Sequence, residues 1–296
     1  MQVLNWNPPQ VGEGVMSRIE QTMHQALGGR NDNNAVHQAA QAAHYHLDCG
    51  GQRLRARLAV TSALALEISM PDAITLAASA ELVHNASLVH DDLVDHEEYR
   101  RGSKTVAVAF GSTVAICTGD LLLSAAYVAL GGFSRSARIS DLLRLVHRAA
   151  AAAIQGQCSE FAPSPNHVDA WKNYENIAKA KSGALLALPL ELAMATANRT
   201  DCIPIARRCA EAFAIAYQIV DDINDLSKDR GNGVSPACYN ALLTLEAAGH
   251  GENTFAMASE LATSRLLESI ELAKALPDQS GGLLVALGNE MLREIP

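Results

Sequence analysis

Long stretches of this chain carry apolar residues at the three- and four-residue spacing of an amphipathic helix, or are apolar on every face. Nowhere do apolar and polar residues alternate for several positions in a row. The pattern predicts helices over 11–27, 33–48, 53–69, 72–95, 112–130, 137–160, 167–197, 202–226, 236–248, 254–276 and 281–294, and no strands. Proline placement agrees, because no proline interrupts the chain between Pro71 and Pro163 or from Ile205 to Ser235. Breaks are expected near Gly102, Gly111 and Gly131-Gly132. No internal repeat and no Ser/Gly/Pro-rich linker divides the sequence, so one all-α domain over residues 1–296 is expected.

Composition narrows this picture. Hydrophobic residues make up 49%, charged residues 19% and aromatics only 4%, which excludes disorder and argues against a β-sandwich. With 23 Lys+Arg against 32 Asp+Glu the formal net charge is −9, which argues against general affinity for nucleic acid or anionic membranes. The cysteines (Cys49, Cys117, Cys158, Cys202, Cys209 and Cys238) are scattered with no CxxC pair, as expected for reduced thiols and a cytoplasmic location. Met1 to Pro9 lacks a basic start followed by an apolar stretch, so no signal peptide is expected. The Ala/Leu-rich runs are broken by Gly, Asp, Glu or Pro before reaching roughly 18 apolar residues, so no transmembrane span is expected.

Two acidic clusters stand out: Asp91-Asp92-Leu93-Val94-Asp95 and Asp221-Asp222-Ile223-Asn224-Asp225, each following an apolar helical run. On a helix the first and last Asp of each share a face, roughly 6 Å apart, which suits a shared metal ion. A lone cluster of this kind is better read as a solvated helix end. Here the same pattern recurs 130 residues later, again at the C-terminal end of a helix, where the dipole disfavours negative charge. Acids held there imply a compensating cation, and carboxylate oxygens suit Mg²⁺, whose shell is completed by waters and substrate phosphates.

Basic residues accompany both glycine turns. Arg100-Arg101-Gly102, just after the first cluster, is a plausible diphosphate clamp, since guanidinium groups contact phosphate oxygens bidentately and Gly lets the backbone approach. Gly50-Gly51-Gln52-Arg53-Leu54-Arg55 alone would read as a helix stop followed by a new helix. His84 lies two turns before Asp91 on the same helix face, and in isolation would be a core histidine. His44 and His46 form an HxH pair without nearby ligand spacing and read as ordinary helix residues.

Taken together, GGQRLR (50–55), ELVHNASLVHDDLVD (81–95), RRG (100–102), GD (119–120), GQCSE (156–160), AKSGAL (180–185) and YQIVDDIND (217–225) occur in an order that resembles the trans-isoprenyl diphosphate synthases, the polyprenyl synthetase family. The resemblance implies an all-helical isoprenoid-synthase bundle around a central apolar cavity, usually a homodimer. It implies head-to-tail prenyl transfer between isopentenyl diphosphate and an allylic diphosphate, with three Mg²⁺ ions per site once substrate is bound. By matching position, Asp91, Asp95 and Asp221 would be the principal metal ligands, with Asp92, Asp222 and Asp225 contributing directly or through water. Arg100, Lys181 and Gln218, with Ser182 beside the lysine, would hold the allylic diphosphate. Arg53, Arg101 and His84 would hold isopentenyl diphosphate, with Arg55 a weaker candidate. The last proton is expected to leave with diphosphate, so no protein general base is assigned.

Two features depart from the family pattern. Gln52 stands where the family usually has a lysine, which removes a cation near isopentenyl diphosphate. The segment LSKDRGNGVSP lacks the usual Gly-Lys, with Lys228 or Arg230 as substitutes. Ala86 and Ser87, about one turn before Asp91, are both small, so the substrate tail has room to grow and a product of C20 or longer is expected. Two other readings compete: a class I terpene cyclase on the same scaffold, kept alive by Gln52, and a non-catalytic regulatory subunit, against which the six aspartates argue.

Overall fold

The computed structural model describes residues 11–28, 37–134, 136–160, 170–231, 240–249 and 251–295, apart from the side chains of Ser136, residues 227–231 and Glu252. Among these residues the chain is almost wholly helical: α1 (Glu13–Leu27), α2 (Gln38–Asp48), α3 (Leu54–Ala65), α4 (Met70–Val94), α5 (Val106–Phe110), α6 (Ser112–Ala129), α7 (Ile139–Glu160), α8 (Ala170–Ala178), α9 (Ala184–Thr196), α10 (Ile203–Gly231), α11 (Ala241–Ala247), α12 (Thr254–Lys274) and α13 (Gly282–Glu294). The all-α expectation therefore holds. It missed the short helix α5 and a hairpin of two-residue strands, β1 (Tyr99–Arg100) and β2 (Ser103–Lys104). The helix expected over 167–197 is divided: between α8 and α9 the residues Lys179–Gly183 form a π-helical turn. α10 runs on to Gly231, so the second acidic cluster lies inside the helix and not at its C-terminal end, and the dipole argument for a compensating cation applies to the first cluster alone.

The chain folds as two compact units, although no linker marks the division in the sequence. One comprises Val11–His147 and Leu192–Arg199. Its spine is α4, which starts with Ser69 accepting from the Asp72 amide and with Pro71 in its first turn. Asp72 in turn accepts from the amide and hydroxyl of Ser134 at 2.9 and 2.7 Å. α4 packs against α1, α3, α5 and α6. Its run of Ala, Leu and Ile is buried almost throughout, and a fully buried leucine such as Leu76 or Leu82 contributes about 2 kcal/mol. Gly119 of α6 faces the His90 ring of α4 so closely that any side chain there would collide with the imidazole, which explains the glycine of the GD pair.

One helix, α6, bears on the expectation of no transmembrane span, which the structure does not confirm. Among the described residues a single helix, Ser112–Gly132, is long and apolar enough to cross a membrane by length and composition, with mean hydropathy 1.7. The lone Asp120 does not interrupt it enough. Its buried side, with Ala115, Leu122, Ala125 and Ala126, packs on neighbouring helices, as a core helix does.

The other unit comprises the described parts of Arg148–Glu191 and Thr200–Pro296. Here α10 packs along α12, with the Ser269 hydroxyl donating to the Cys209 carbonyl at 2.9 Å. Tyr174, Ile215, Ile219, Leu242, Leu245 and Ala262 form a buried cluster that joins α8, α10, α11 and α12. Glu191, 2% exposed, is neutralised by Arg148 at 2.5 Å and Arg207 at 2.8 Å, as a buried carboxylate requires.

Candidate active site

α4 ends in the first acidic cluster. Asp95 caps it, its amide donating to the Asp91 carbonyl at 2.8 Å. Helix phase leaves Asp91 half-buried and Asp95 exposed, and turns Asp92, 2% exposed, inward. Arg100 donates through Nε and a terminal nitrogen to one Asp92 oxygen, at 2.6 and 2.5 Å. The other oxygen, Oδ2, is buried without a hydrogen-bond partner. Burial raises the Asp92 carboxyl above the usual range while Arg100 pulls it back down.

Arg100 is aimed by the hairpin. Arg100 pairs with Ser103, and the two residues between them, Arg101 and Gly102, both have positive φ (54° and 78°), the signature of a type I′ turn. Gly102 adopts this freely; Arg101 does so under strain. The Tyr45 hydroxyl donates to the Lys104 carbonyl at 2.8 Å, tying the hairpin to α2. Arg101 folds back to donate to the Gly50 carbonyl, and a Cβ on Gly51 (φ 132°) would strike its guanidinium. The two glycine motifs thus dock on each other.

Beyond the double glycine, Arg53 is in the left-handed conformation and buried, donating to the Leu47 carbonyl at 2.6 Å and to Glu20 at 3.3 Å. Glu81 of α4, 1% exposed, lies 3.9 Å from Arg53 and accepts the Ala56 amide at 3.0 Å, satisfying an open donor at the start of α3. The Gln52 side chain is exposed. His84 is half-buried, with a buried and unpartnered Nδ1; burial and the charges of Arg55, Arg101 and Arg100 hold it well below the usual histidine range. His46, 4% exposed, is lowered to about 3, first by burial and then by Arg101 and Arg100. Neutral imidazoles thus sit among several guanidinium groups, an arrangement that is completed electrostatically by an anion.

The second acidic cluster lies on α10 and is held differently. Asp222, 5% exposed, accepts from the Tyr174 hydroxyl at 2.7 Å, the Ala241 amide at 2.8 Å and Gln218 Nε2 at 2.9 Å. Asn240 donates to its carbonyl at 2.9 Å. Burial pushes the Asp222 carboxyl up to about 7 against the pull of those donors. Asp221 and Asp225, its neighbours in the motif, are half-buried. In the same unit the Lys181 ammonium pairs with Glu160 at 2.7 Å. Lys181 lies in the π-helical turn, and a Cβ on Gly156 of α7 would come within 2.7 Å of its backbone nitrogen, so the first glycine of GQCSE lets α7 approach that turn.

The polyprenyl synthetase family model matches residues 36–234. The chain belongs to the polyprenyl synthetase family. It is 30% identical over 193 residues, 64% of this chain and 58% of the relative, to a short chain isoprenyl diphosphate synthase of Methanocaldococcus jannaschii. It is 33% identical over 177 residues, 58% of this chain and 48% of the relative, to a (2E,6E)-farnesyl diphosphate synthase of Mycobacterium tuberculosis. These matches span less than two thirds of the relatives' own length. The fold is that of a decaprenyl diphosphate synthase from Rhodobacter capsulatus, with a TM-score of 0.81 at 18% identity over 96% of this chain and 97% of that one.

All the site residues nominated from sequence fall inside the polyprenyl synthetase match. Within Val11–His147 the structure gathers Arg100, Arg101, Arg55 and His84 into one electrostatic cluster. Arg53 donates to Leu47 and Glu20 and lies near Glu81 while its Nη1 is buried without a hydrogen-bond partner, and the charge of Arg55 reaches His84. Gln218 and Asp222 bond to each other, leaving Asp221 and Asp225 as the better-exposed carboxylates of the second motif. Ala86 is buried in α4 and Ser87 half-buried, its hydroxyl donating to the His84 carbonyl at 2.8 Å. Ser182 is half-buried in the π turn. The backbone of Lys228 and Arg230 falls in α10, and their side chains lie outside the described ones. One residue missed from sequence is Gln157 of α7, whose amide oxygen and nitrogen are both buried without partners; its adjacency to the motif glycine was the available signal.

Proposed function

We propose that this polyprenyl synthetase family member is a prenyltransferase that joins isopentenyl diphosphate to an allylic diphosphate. The observation that carries the reading is the shared construction of two acidic helical motifs, one closing α4 and one inside α10. In each, the second aspartate is buried and held by fixed donors, while the first and last sit nearer the surface. That construction fits metal-assisted handling of diphosphate. Among the described residues no three His, Cys, Asp or Glu side chains come together as a metal site. Mg²⁺ needs only one or two carboxylates, with waters and phosphates completing its shell, so Asp91 with Asp95 and Asp221 with Asp225 suit it. When bound, the ion would neutralise charge gathering on departing diphosphate.

In this reading the allylic C–O bond breaks with its electron pair going to diphosphate. The isopentenyl double bond then supplies the pair for the new C–C bond, and a proton leaves the adjacent carbon for diphosphate. Arg100 and Lys181 are proposed as the cations for the allylic diphosphate, and Arg53, Arg101 and His84, with Arg55 beside them, as the groups for isopentenyl diphosphate. The small residues Ala86 and Ser87 support a product of C20 or longer. Ala86→Phe is expected to shorten it by at least one isoprene unit in mass analysis, and an unchanged product distribution would overturn this assignment of the tail's path.

The protein is further proposed to act as a cytoplasmic homodimer. Among the described residues Cys49, Cys117, Cys158 and Cys209 form no disulfide, which supports a reducing compartment, and the exposed Ile116 and Val128 on α6 support a covered apolar face. The test of the activity is product analysis with allylic and isopentenyl diphosphates supplied separately and together. A terpene cyclase, the reading favoured by the neutral Gln52, would release product from the allylic substrate alone.

A further inference from the structure

Two buried polar residues of α4 hold the double-glycine turn from both sides. Glu81 and Asn85 stand one helical turn apart, on either side of His84, and are 1% and 0% exposed. Glu81 reaches toward α3, where its Oε2 accepts the Ala56 amide at 3.0 Å. Ala56 is the third residue of α3, and that helix has no capping side chain of its own, since Arg53, which carries only donors, stands at its N-cap. Glu81 thus supplies from a neighbouring helix the acceptor that a Ser or Asp would give locally. Asn85 reaches toward α2. Its Nδ2 donates to the Glu81 carbonyl at 2.8 Å and to the Glu81 carboxylate at 3.3 Å, which leaves Oδ1 to accept from His46 Nε2 at 3.1 Å. α2 and α3 are the two arms of the Gly50-Gly51 turn. Both arms are therefore pinned to the stretch of α4 that carries His84 and, two turns on, Asp91.

A carboxylate buried this deeply is costly, and no close ion pair offsets the cost: Arg53 Nη1 stays 3.9 Å away and is itself buried without a hydrogen-bond partner. An apolar side chain would pack α3 on α4 without that penalty. What the carboxylate adds is a directed bond, which fixes the rotation and height of the start of α3. We propose that Glu81 is a positioning residue for isopentenyl diphosphate: through the Ala56 amide it sets where Arg55, one residue earlier, stands relative to His84. The inference rests on the prenyltransferase reading. With the neutral Gln52 in the turn, the grip on a diphosphate depends on the placement of the arginines that remain.

Steady-state kinetics well below the melting temperature test this. Glu81→Ala should raise the KM for isopentenyl diphosphate about tenfold while the KM for the allylic substrate and kcat stay within about twofold. A merely structural residue would lower the melting temperature without dividing the two substrates. Glu81→Gln, which keeps an oxygen for the Ala56 amide, should recover most of the lost affinity. Because Glu81 acts through Arg55, the double variant of Glu81→Ala with Arg55→Ala should have a KM no higher than the worse single variant. Equal rises for both substrates, multiplying effects in the double variant, or a Glu81→Gln no better than Glu81→Ala overturns the proposal. Should Glu81→Ala not fold, Glu81→Asp, which draws the acceptor back by one methylene, reads the same division between substrates. Calorimetric binding of isopentenyl diphosphate separates this inference from its premise. Native protein that binds it about tenfold more tightly than Glu81→Ala yet never elongates an allylic substrate would sink the prenyltransferase reading and leave the positioning role standing. Elongation by both proteins with equal binding would do the reverse.

Discussion

The two acidic motifs share a sequence pattern and differ in how the middle aspartate is held. At the end of α4, Asp92 is held by a charge: Arg100 grips one oxygen and the other stays unpartnered. On α10, Asp222 is held by neutral donors from Tyr174, Gln218 and the Ala241 amide, which join α8, α10 and α11. The first arrangement can be rearranged by an anion that competes for Arg100. The second is a structural knot. Identical motifs thus position their outer carboxylates by different means, one electrostatic and adjustable, the other fixed.

The largest effect expected is on the outer carboxylates, where the two motifs should be equivalent. Asp91→Ala and Asp221→Ala should each lower kcat by about 1,000-fold at saturating Mg²⁺, with circular dichroism unchanged. Intact turnover in either variant would remove that motif from the chemistry.

The middle aspartates should behave unequally. Asp222→Ala strands several buried donors and should destabilise the protein by about 3 kcal/mol in denaturant melts, whereas Asp92→Ala should cost about 1 kcal/mol because Arg100 is partly solvated. Equal losses would mean that the two knots are alike. The smallest effect concerns pH. His46 is held at about 3, below its unfolded value, so its neutral form stabilises the fold fully above about pH 6.5 and that contribution is lost as the pH falls toward 3. Between pH 7.5 and 6 this group should lower stability by about 0.8 kcal/mol in denaturant melts, and the decline should be smaller in His46→Asn.

Much of this was legible in the sequence because helices leave a strong imprint. Proline-free apolar runs located α4, α6 and α10, and helix phase separates the inward Asp92 from Asp91 and Asp95. The hairpin left little trace, since strands of two residues cannot show alternation and its I′ turn begins with Arg101 instead of Asn or Asp. Spacing alone does not give the direction of Arg53 either. It precedes α3 in a left-handed conformation that turns the side chain toward Leu47 and Glu81, a direction set by backbone geometry and tertiary partners. His46 was hidden for a similar reason: an HxH pair on a helix says nothing of the arginine-lined space that a distant hairpin builds beside it.

The most direct test is mass analysis of products formed by the purified chain from C10 and C15 allylic diphosphates with Mg²⁺, with and without isopentenyl diphosphate. Lengthened prenyl diphosphates are expected only when both substrates are present. Release of pyrophosphate and a hydrocarbon from the allylic substrate alone, with no lengthened product when both are supplied, would contradict the assignment of this chain as a prenyltransferase.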